Sequence, residues 1–105
     1  MKRGLNTTCS LFFSTLSNPT RLAILELLHR EPKNVTEITK ALGEDQTMIS
    51  HNLRPLVKCR FVFTERRWKE KVYSLNKESM DPLFDLIANH ARKYCPRKGK
   101  CQEAR

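Results

Sequence analysis

The chain has 105 residues, a length that fits one domain with a modest core, which gains stability when two chains share it. Its formal net charge of +9 favours an anionic partner, most commonly nucleic acid and next an acidic membrane surface. No apolar run approaches the ~20 residues of a membrane span. Polar residues 6–8 interrupt any signal peptide, so we expect an intracellular, cytoplasmic protein.

Three helices are predicted in the first part of the chain. Apolar residues recur at helical spacing from 5 to 16, which predicts a short amphipathic first helix. Asn18 followed by Pro19 supplies an N-cap and a first-turn proline for a second helix, which is apolar over most of its circumference and is the expected core helix. Asn34, with Glu37 three residues later, forms a capping box that begins a third helix.

A fourth predicted helix, which follows Gly43 and the N-cap residue Asp45, says most about function. One side carries an apolar stripe, and the other carries side chains that can exchange hydrogen bonds with base edges, as a helix in the major groove requires. These candidate DNA contacts are Gln46, Thr47, Ser50, His51 and Arg54. Pro55 removes one backbone hydrogen bond, so we expect the helix either to kink near Leu53 or to become irregular before Cys59.

Residues 61–65 and 72–75 change to strand-like composition and predict a β-hairpin. Trp68 in its turn is expected either to stack on a nucleic-acid sugar or, as is commoner, to pack back onto the strands. From residue 54 to 71 there are seven basic and two acidic side chains, a concentration that favours nucleic-acid binding. The basic residues of the hairpin are expected to bind phosphates more than bases. They are Arg66, Arg67, Lys69 and Lys71.

The chain ends in one more predicted helix, beginning at Asp81-Pro82, and in a tail without periodicity. The predicted fold is therefore mainly α with a small β-hairpin. The element order is that of a winged helix-turn-helix with N- and C-terminal dimerisation helices. We divide the chain into a DNA-binding and dimerisation domain, residues 1–94, and a basic tail that contains cysteines, residues 95–105.

Three segments resemble those of ArsR-type bacterial and archaeal repressors, over about residues 8 to 92. Residues 16–25, LSNPTRLAIL, resemble the opening segment of that family. Residues 45–53, DQTMISHNL, resemble its recognition helix, and residues 65–75, ERRWKEKVYSL, resemble its wing. The three segments occur in the family's order and at its spacing.

The resemblance implies a homodimer with the first and last helices at the interface. Each protomer would place its fourth helix in a major groove of a double-stranded DNA operator and its wing along the flanking backbone or minor groove. Such proteins mostly repress transcription and release DNA when an inducer is sensed. The resemblance also implies a protein that is not an enzyme, needs no cofactor to bind DNA and has no membrane partner.

The metal sites of the resembling family are not matched in this sequence. A Cys-x-Cys pair in the third helix is replaced by residues 35–39, VTEIT. A second type of site, on the last helix, retains only Asp85 and His90, without the required spacing. The metal-binding residues therefore stay unknown.

The four cysteines are the remaining candidates for sensing. Three of them would lie near the proposed dimer interface: Cys9, Cys95 and Cys101. We favour oxidation to a disulfide, which needs two thiols, over a soft metal ion bound by thiolates, which needs three or four ligands. A purely structural Cys95–Cys101 or interchain bridge stays open, as does the absence of any role. Cys59 is expected to be a small buried side chain.

Two other classes of function fit the sequence less well than a DNA-binding regulator does. A winged-helix module that binds proteins instead of DNA would carry apolar or acidic residues on its fourth helix, which this chain does not. An enzyme is disfavoured because there is no phosphate-binding loop and the three histidines fall in three different helices.

Overall fold

The computed structural model describes residues 10–95, which form five α-helices and one three-stranded antiparallel sheet. In chain order the elements are α1 (Ser10–Leu16), α2 (Pro19–Arg30), β1 (Lys33–Asn34), α3 (Val35–Leu42), α4 (Gln46–Lys58), β2 (Val62–Arg67), β3 (Glu70–Leu75) and α5 (Lys77–Tyr94). The strand order is β1-β3-β2. The predicted tail beyond residue 95, and the part of the first helix before residue 10, lie outside the described residues.

The predicted side-chain caps are confirmed at the starts of α2, α3 and α4. Asn18 Oδ1 accepts from the backbone N–H of Arg21 at 3.0 Å, with Pro19 at the first helical position. The capping box between Asn34 and Glu37 is complete, with bonds of 2.8 and 2.9 Å. Asp45 accepts from the backbone N–H of Thr47 at 2.9 Å. These local bonds satisfy N–H groups that a helix start leaves unpaired, so they fix where each helix begins.

α4 continues through Pro55 to Lys58, so the predicted irregular turn before Cys59 is wrong. A proline at position 55 removes only the hydrogen bond to the carbonyl of residue 51. His51 is exposed, which allows water to replace that bond. The backbone N–H of Cys59 donates to the carbonyl of Pro55 at 2.9 Å and closes the helix normally.

α5 begins at Lys77, so the predicted start at Asp81-Pro82 is wrong. Met80 is fully buried, and its backbone N–H donates to the carbonyl of Asn76 at 2.9 Å, which starts the helix one turn earlier. Pro82 therefore lies inside the helix. The caps alone misplace this start because Asn76 makes no side-chain cap bond.

One hydrophobic core joins α2, α3, α4, the sheet and the start of α5. α2 contributes three of its most buried side chains, as expected of a central helix. The core comprises Ile24, Leu25, Leu28, Ile38, Ile49, Leu53, Leu56, Phe61, Val62, Leu75 and Met80. None of the helices described between residues 10 and 95 is both long and apolar enough to span a membrane.

The predicted hairpin is present and longer than expected. β2 and β3 pair in register up to Arg67 opposite Glu70, which leaves a two-residue turn at the tip, Trp68-Lys69. β1, which the sequence pattern did not predict, pairs residues 33 and 34 with Tyr73 and Val72 on the other edge of β3. We call β2, β3 and their turn the wing.

Candidate nucleic-acid interface

The exposed side of α4 carries all five residues predicted there. Its opposite side is buried through Ile49, Leu53 and Leu56, each at most 2% exposed. This orientation follows from the helical period, because residues three or four apart share a face. The exposed residues are Gln46, Thr47, Ser50, His51 and Arg54. The structure therefore presents a continuous hydrogen-bonding surface about two turns long, which we call the α4 face.

A groove of about 550 Å³ separates α4 from the wing. α4 lines one wall with Ser50, Arg54 and Lys58, and the strands line the other with Lys71 and Thr64. The structure thus brings together two predicted residues of α4 and one predicted residue of the wing.

The remaining basic residues of the wing are exposed and do not line this groove. Arg66 pairs with Lys71 across the strands, and Lys69 is in the turn at the tip. Arg67 Nε lies 3.4 Å from Glu65 Oε2, an exposed ion pair that contributes little to stability. The wing therefore presents its cations at and beside its turn, from residue 66 to residue 71.

A partly buried polar link, which was not predicted from the sequence, joins α4 to α2. Arg21 Nε donates to Asn52 Oδ1 at 3.0 Å, and Asn52 Nδ2 donates to the carbonyl of Met48 at 3.0 Å. A terminal guanidinium nitrogen of Arg21 also donates to the carbonyl of Thr15 at 3.3 Å. Asn52 is only 7% exposed. An asparagine on the apolar stripe of an amphipathic helix was the signal for such a link, because a buried amide requires partners.

The wing has its own anchor on the helix-turn-helix. Asn34 Nδ2 donates to Glu70 Oε1 at 2.8 Å, from the start of α3 to the end of the wing turn. Because Asn34 also caps α3 and pairs with β3, one residue couples the position of the wing to that of α3.

Trp68 does not pack back onto the hairpin. Its side chain is 89% exposed, and its backbone has a φ of 60°. The commoner of the two predicted fates of this residue is therefore wrong.

An apolar groove of about 690 Å³ lies between α2 and α5. It contains Leu22, which is 42% exposed, and Ile87, which is 52% exposed. The other apolar lining residues are Pro19, Ala23, Phe84 and Ala88, and Glu26, His29 and Asp85 also line the groove. One wall of this groove is α5, the last helix, which is predicted to take part in dimerisation.

Comparisons with known proteins identify the family. A family model described as bacterial regulatory protein, arsR family, matches residues 18–63, from the N-cap of α2 into β2. The arsenical resistance operon repressor of Staphylococcus xylosus is 31% identical over 74% of this chain and 78% of its own length. The chain belongs to the ArsR family.

A second relative and a solved structure add to this comparison. The HTH-type transcriptional regulator NmtR of Mycobacterium tuberculosis is 36% identical over 72% of this chain, which spans only 63% of NmtR. A homodimeric winged helix-turn-helix DNA-binding domain from Mycobacterium bovis, described as a possible ArsR-family regulator, superposes with a TM-score of 0.76 at 29% identity. That match covers 85% of this chain and 82% of the M. bovis chain. The predicted winged helix-turn-helix fold is confirmed.

The candidate sensing residues of this ArsR-family chain are only partly within the described residues. Cys95 follows the last turn of α5 and is half-buried, while Cys9 and Cys101 lie outside the described residues. Cys59 Sγ lies 3.6 Å from Thr15 Oγ1 and is partly buried. Between residues 10 and 95, no three His, Cys, Asp or Glu side chains are grouped so that they could hold one metal ion.

Proposed function

We propose that this chain is a homodimeric, sequence-specific DNA-binding regulator that represses transcription from its operator. The observation that carries the proposal is the placement of α4, whose apolar stripe is buried while the α4 face is exposed beside a basic wing. The names of the related repressor and regulator support a role in transcription. A protein that acts on an operator works in the cytoplasm, where that DNA is.

The α4 face would enter a major groove, with Ser50 and His51 as central contacts. Hydroxyl and imidazole groups can exchange hydrogen bonds with base edges. The wing cations would bind phosphates of the flanking backbone, which positions the protein without selecting a sequence. Because Arg54 and Lys71 line the same groove, helix and wing would contact one continuous stretch of DNA.

The homodimer is supported by the apolar groove between α2 and α5. Leu22 and Ile87 together with Leu86, which is 65% exposed, leave an apolar surface that a second chain would cover. The M. bovis domain with the same fold is homodimeric. A dimer would place two α4 faces on two half-sites related by its symmetry axis.

Fluorescence anisotropy with a duplex from the chain's own upstream region, at fixed salt, tests the proposal. We expect tighter binding to this duplex than to a scrambled one, and a loss of roughly tenfold in Ser50→Ala or His51→Ala, since a good base contact contributes about 1–3 kcal/mol. Ser79→Ala changes another exposed helical serine and serves as the matched control. Equal affinity for both duplexes would contradict the proposal and favour a protein-interaction module.

We further propose that oxidation of cysteine thiols releases the DNA. Cys95 ends the proposed dimerisation helix, so a disulfide from it to Cys101 or Cys9 would act on the dimer interface. Formation of that bond removes two electrons and two protons from a pair of thiols, which diamide accepts.

The thiol proposal is tested by comparing operator binding of reduced and diamide-treated protein. We expect loss of binding on oxidation, abolished in Cys95→Ser and retained in the control Cys59→Ser. Binding that ignores diamide in the wild-type protein would contradict the thiol switch. Loss of operator binding when a soft metal ion is added to the reduced protein would then favour the metal-responsive alternative.

A further inference from the structure

Trp68 is the single tryptophan of the chain and occupies the first position of the two-residue wing turn. Its side chain is 89% exposed, the largest value among the exposed large apolar residues described. Its φ of 60° lies in the left-handed region that favours glycine. Short hairpin turns with positive φ at this position select Gly, Asn or Asp because a Cβ is strained there.

Two unfavourable features therefore coincide at one residue. A bulky residue at positive φ is strained, and this conformation persists only where surrounding interactions hold the backbone in place. The exposed indole leaves a large apolar surface in water. The recorded ring contact is Lys69 Nζ at 5.5 Å from the ring centroid, a weak interaction at an exposed site. Neither feature is compensated by packing of the ring in the described part of the chain, which indicates an external partner.

The charge around the ring defines the chemistry of that partner. Arg66 and Arg67 precede Trp68 in the sequence and Lys69 follows it, while Glu65 is paired with Arg67 and Glu70 accepts a hydrogen bond from Asn34. An apolar planar ring with a cationic rim matches a polyanion that also offers flat apolar surfaces, as nucleic acid does. Trp68 does not line the groove between α4 and the wing, but Lys71, two residues beyond the turn, lines it together with Arg54, so the tip extends from strands that face the proposed DNA-binding surface.

We propose that Trp68 enters the minor groove of the DNA that flanks the α4 contact and stacks against a partly opened base step. This inference rests on the proposed function. Apolar side chains placed between base steps unstack them, and pyrimidine–purine steps open most easily. The bond from Asn34 to Glu70 links the end of the wing turn to the start of α3, so the contact would fall at a defined position outside each half-site.

Intrinsic fluorescence is the first test, because the single tryptophan reports on the tip without background. We expect its emission to be strongly quenched when the full chain binds the duplex from its own upstream region. Anisotropy of labelled DNA in the same samples measures binding independently. Bound DNA with unchanged tryptophan emission would overturn the inference while leaving the proposed function intact. No specific binding of the wild-type chain would refute both.

Substitutions at Trp68 separate a DNA contact from a structural role. Trp68→Gly relieves the strain at positive φ, so we expect an equal or higher Tm together with a roughly 5- to 100-fold loss of operator affinity, the value of one base–aromatic stack. Trp68→Phe keeps a stacking ring and should retain most of the affinity. The slope of log affinity against log salt should stay unchanged in Trp68→Gly, because no cation is removed.

Two controls sharpen the result. Arg67→Ala removes a phosphate contact and should lower the salt slope by about 1, unlike Trp68→Gly. Replacing the flanking pyrimidine–purine step with a stiff one should weaken wild-type binding and leave Trp68→Gly unaffected. Equal operator affinity of Trp68→Gly and wild type would overturn the inference. A blue shift of the tryptophan emission with anionic phosphatidylglycerol vesicles, together with unchanged emission on DNA, would also overturn the inference. That result would indicate a membrane contact.

Discussion

Substitution of Asn52 by alanine should destabilise the domain and weaken operator binding, although Asn52 is buried. The change removes the bond from Arg21 Nε at 3.0 Å and the bond to the Met48 carbonyl at 3.0 Å. A hydrogen bond to a charged group contributes about 1.5–3 kcal/mol. The guanidinium keeps its bond to the Thr15 carbonyl, so we expect the free energy of unfolding to fall by about 2 kcal/mol.

That loss is measurable in two assays. For a domain of this size, 2 kcal/mol lowers Tm by roughly 8–16 °C. Below the transition, where the variant is folded, operator affinity should still fall because α4 has lost a fixed attachment to α2. The control Asn89→Ala removes an exposed asparagine of α5 whose side chain accepts a hydrogen bond from the exposed Arg92, and should change stability by less than ~0.5 kcal/mol.

A double-mutant cycle decides whether the Arg21–Asn52 bond is the cause. Arg21→Met and Asn52→Ala should be non-additive, with a coupling free energy of unfolding of about 1 kcal/mol or more. Additive effects on unfolding, or an Asn52→Ala variant as stable as the wild type, would show that the Arg21–Asn52 bond does not stabilise the domain.

Three other substitutions test separate parts of the structure. Asn34→Ala removes the capping box of α3 and the bond to Glu70, so the free energy of unfolding measured in urea should fall by about 1–2 kcal/mol. An unchanged midpoint of the urea transition would contradict the capping role. Ile87→Asp places a charge in the groove between α2 and α5, where burial of an unpaired charge is costly, so sedimentation should show a monomer. A dimer that persists in this variant would exclude the groove from the interface. Pro55→Ala restores the backbone N–H that α4 lacks at position 55, so it should raise Tm without altering the salt dependence of DNA binding. A lower Tm would show that proline stabilises this site more than alanine does.

Local signals account for most of what the sequence predicted of the fold. Asn18, Asn34 and Asp45 cap their helices through bonds that span only two or three residues, so residue type and spacing are sufficient to locate them. α5 was misplaced because its start depends on burial of Met80, which is a tertiary contact. β1 was missed because two residues become a strand only through pairing with β3.

The same division applies to the candidate site. The α4 face was predictable because the helical period places residues 46, 47, 50, 51 and 54 opposite the buried stripe. The bond between Arg21 and Asn52 joins residues 31 positions apart, and no periodicity indicates such a pair. The exposure of Trp68 depends on the register of β2 and β3, which decides where the turn falls.

The most direct test of the account is amide chemical-shift perturbation in the isotope-labelled chain, titrated with the duplex from its own upstream region. We expect the largest shifts along the α4 face, at Ser50 and His51 above all, and along the wing from Arg66 to Lys71. Amides lining the groove between α2 and α5 should move little, because that groove is the proposed dimer interface. Largest shifts in that groove, or no shifts along α4, would contradict the claim that α4 contacts DNA.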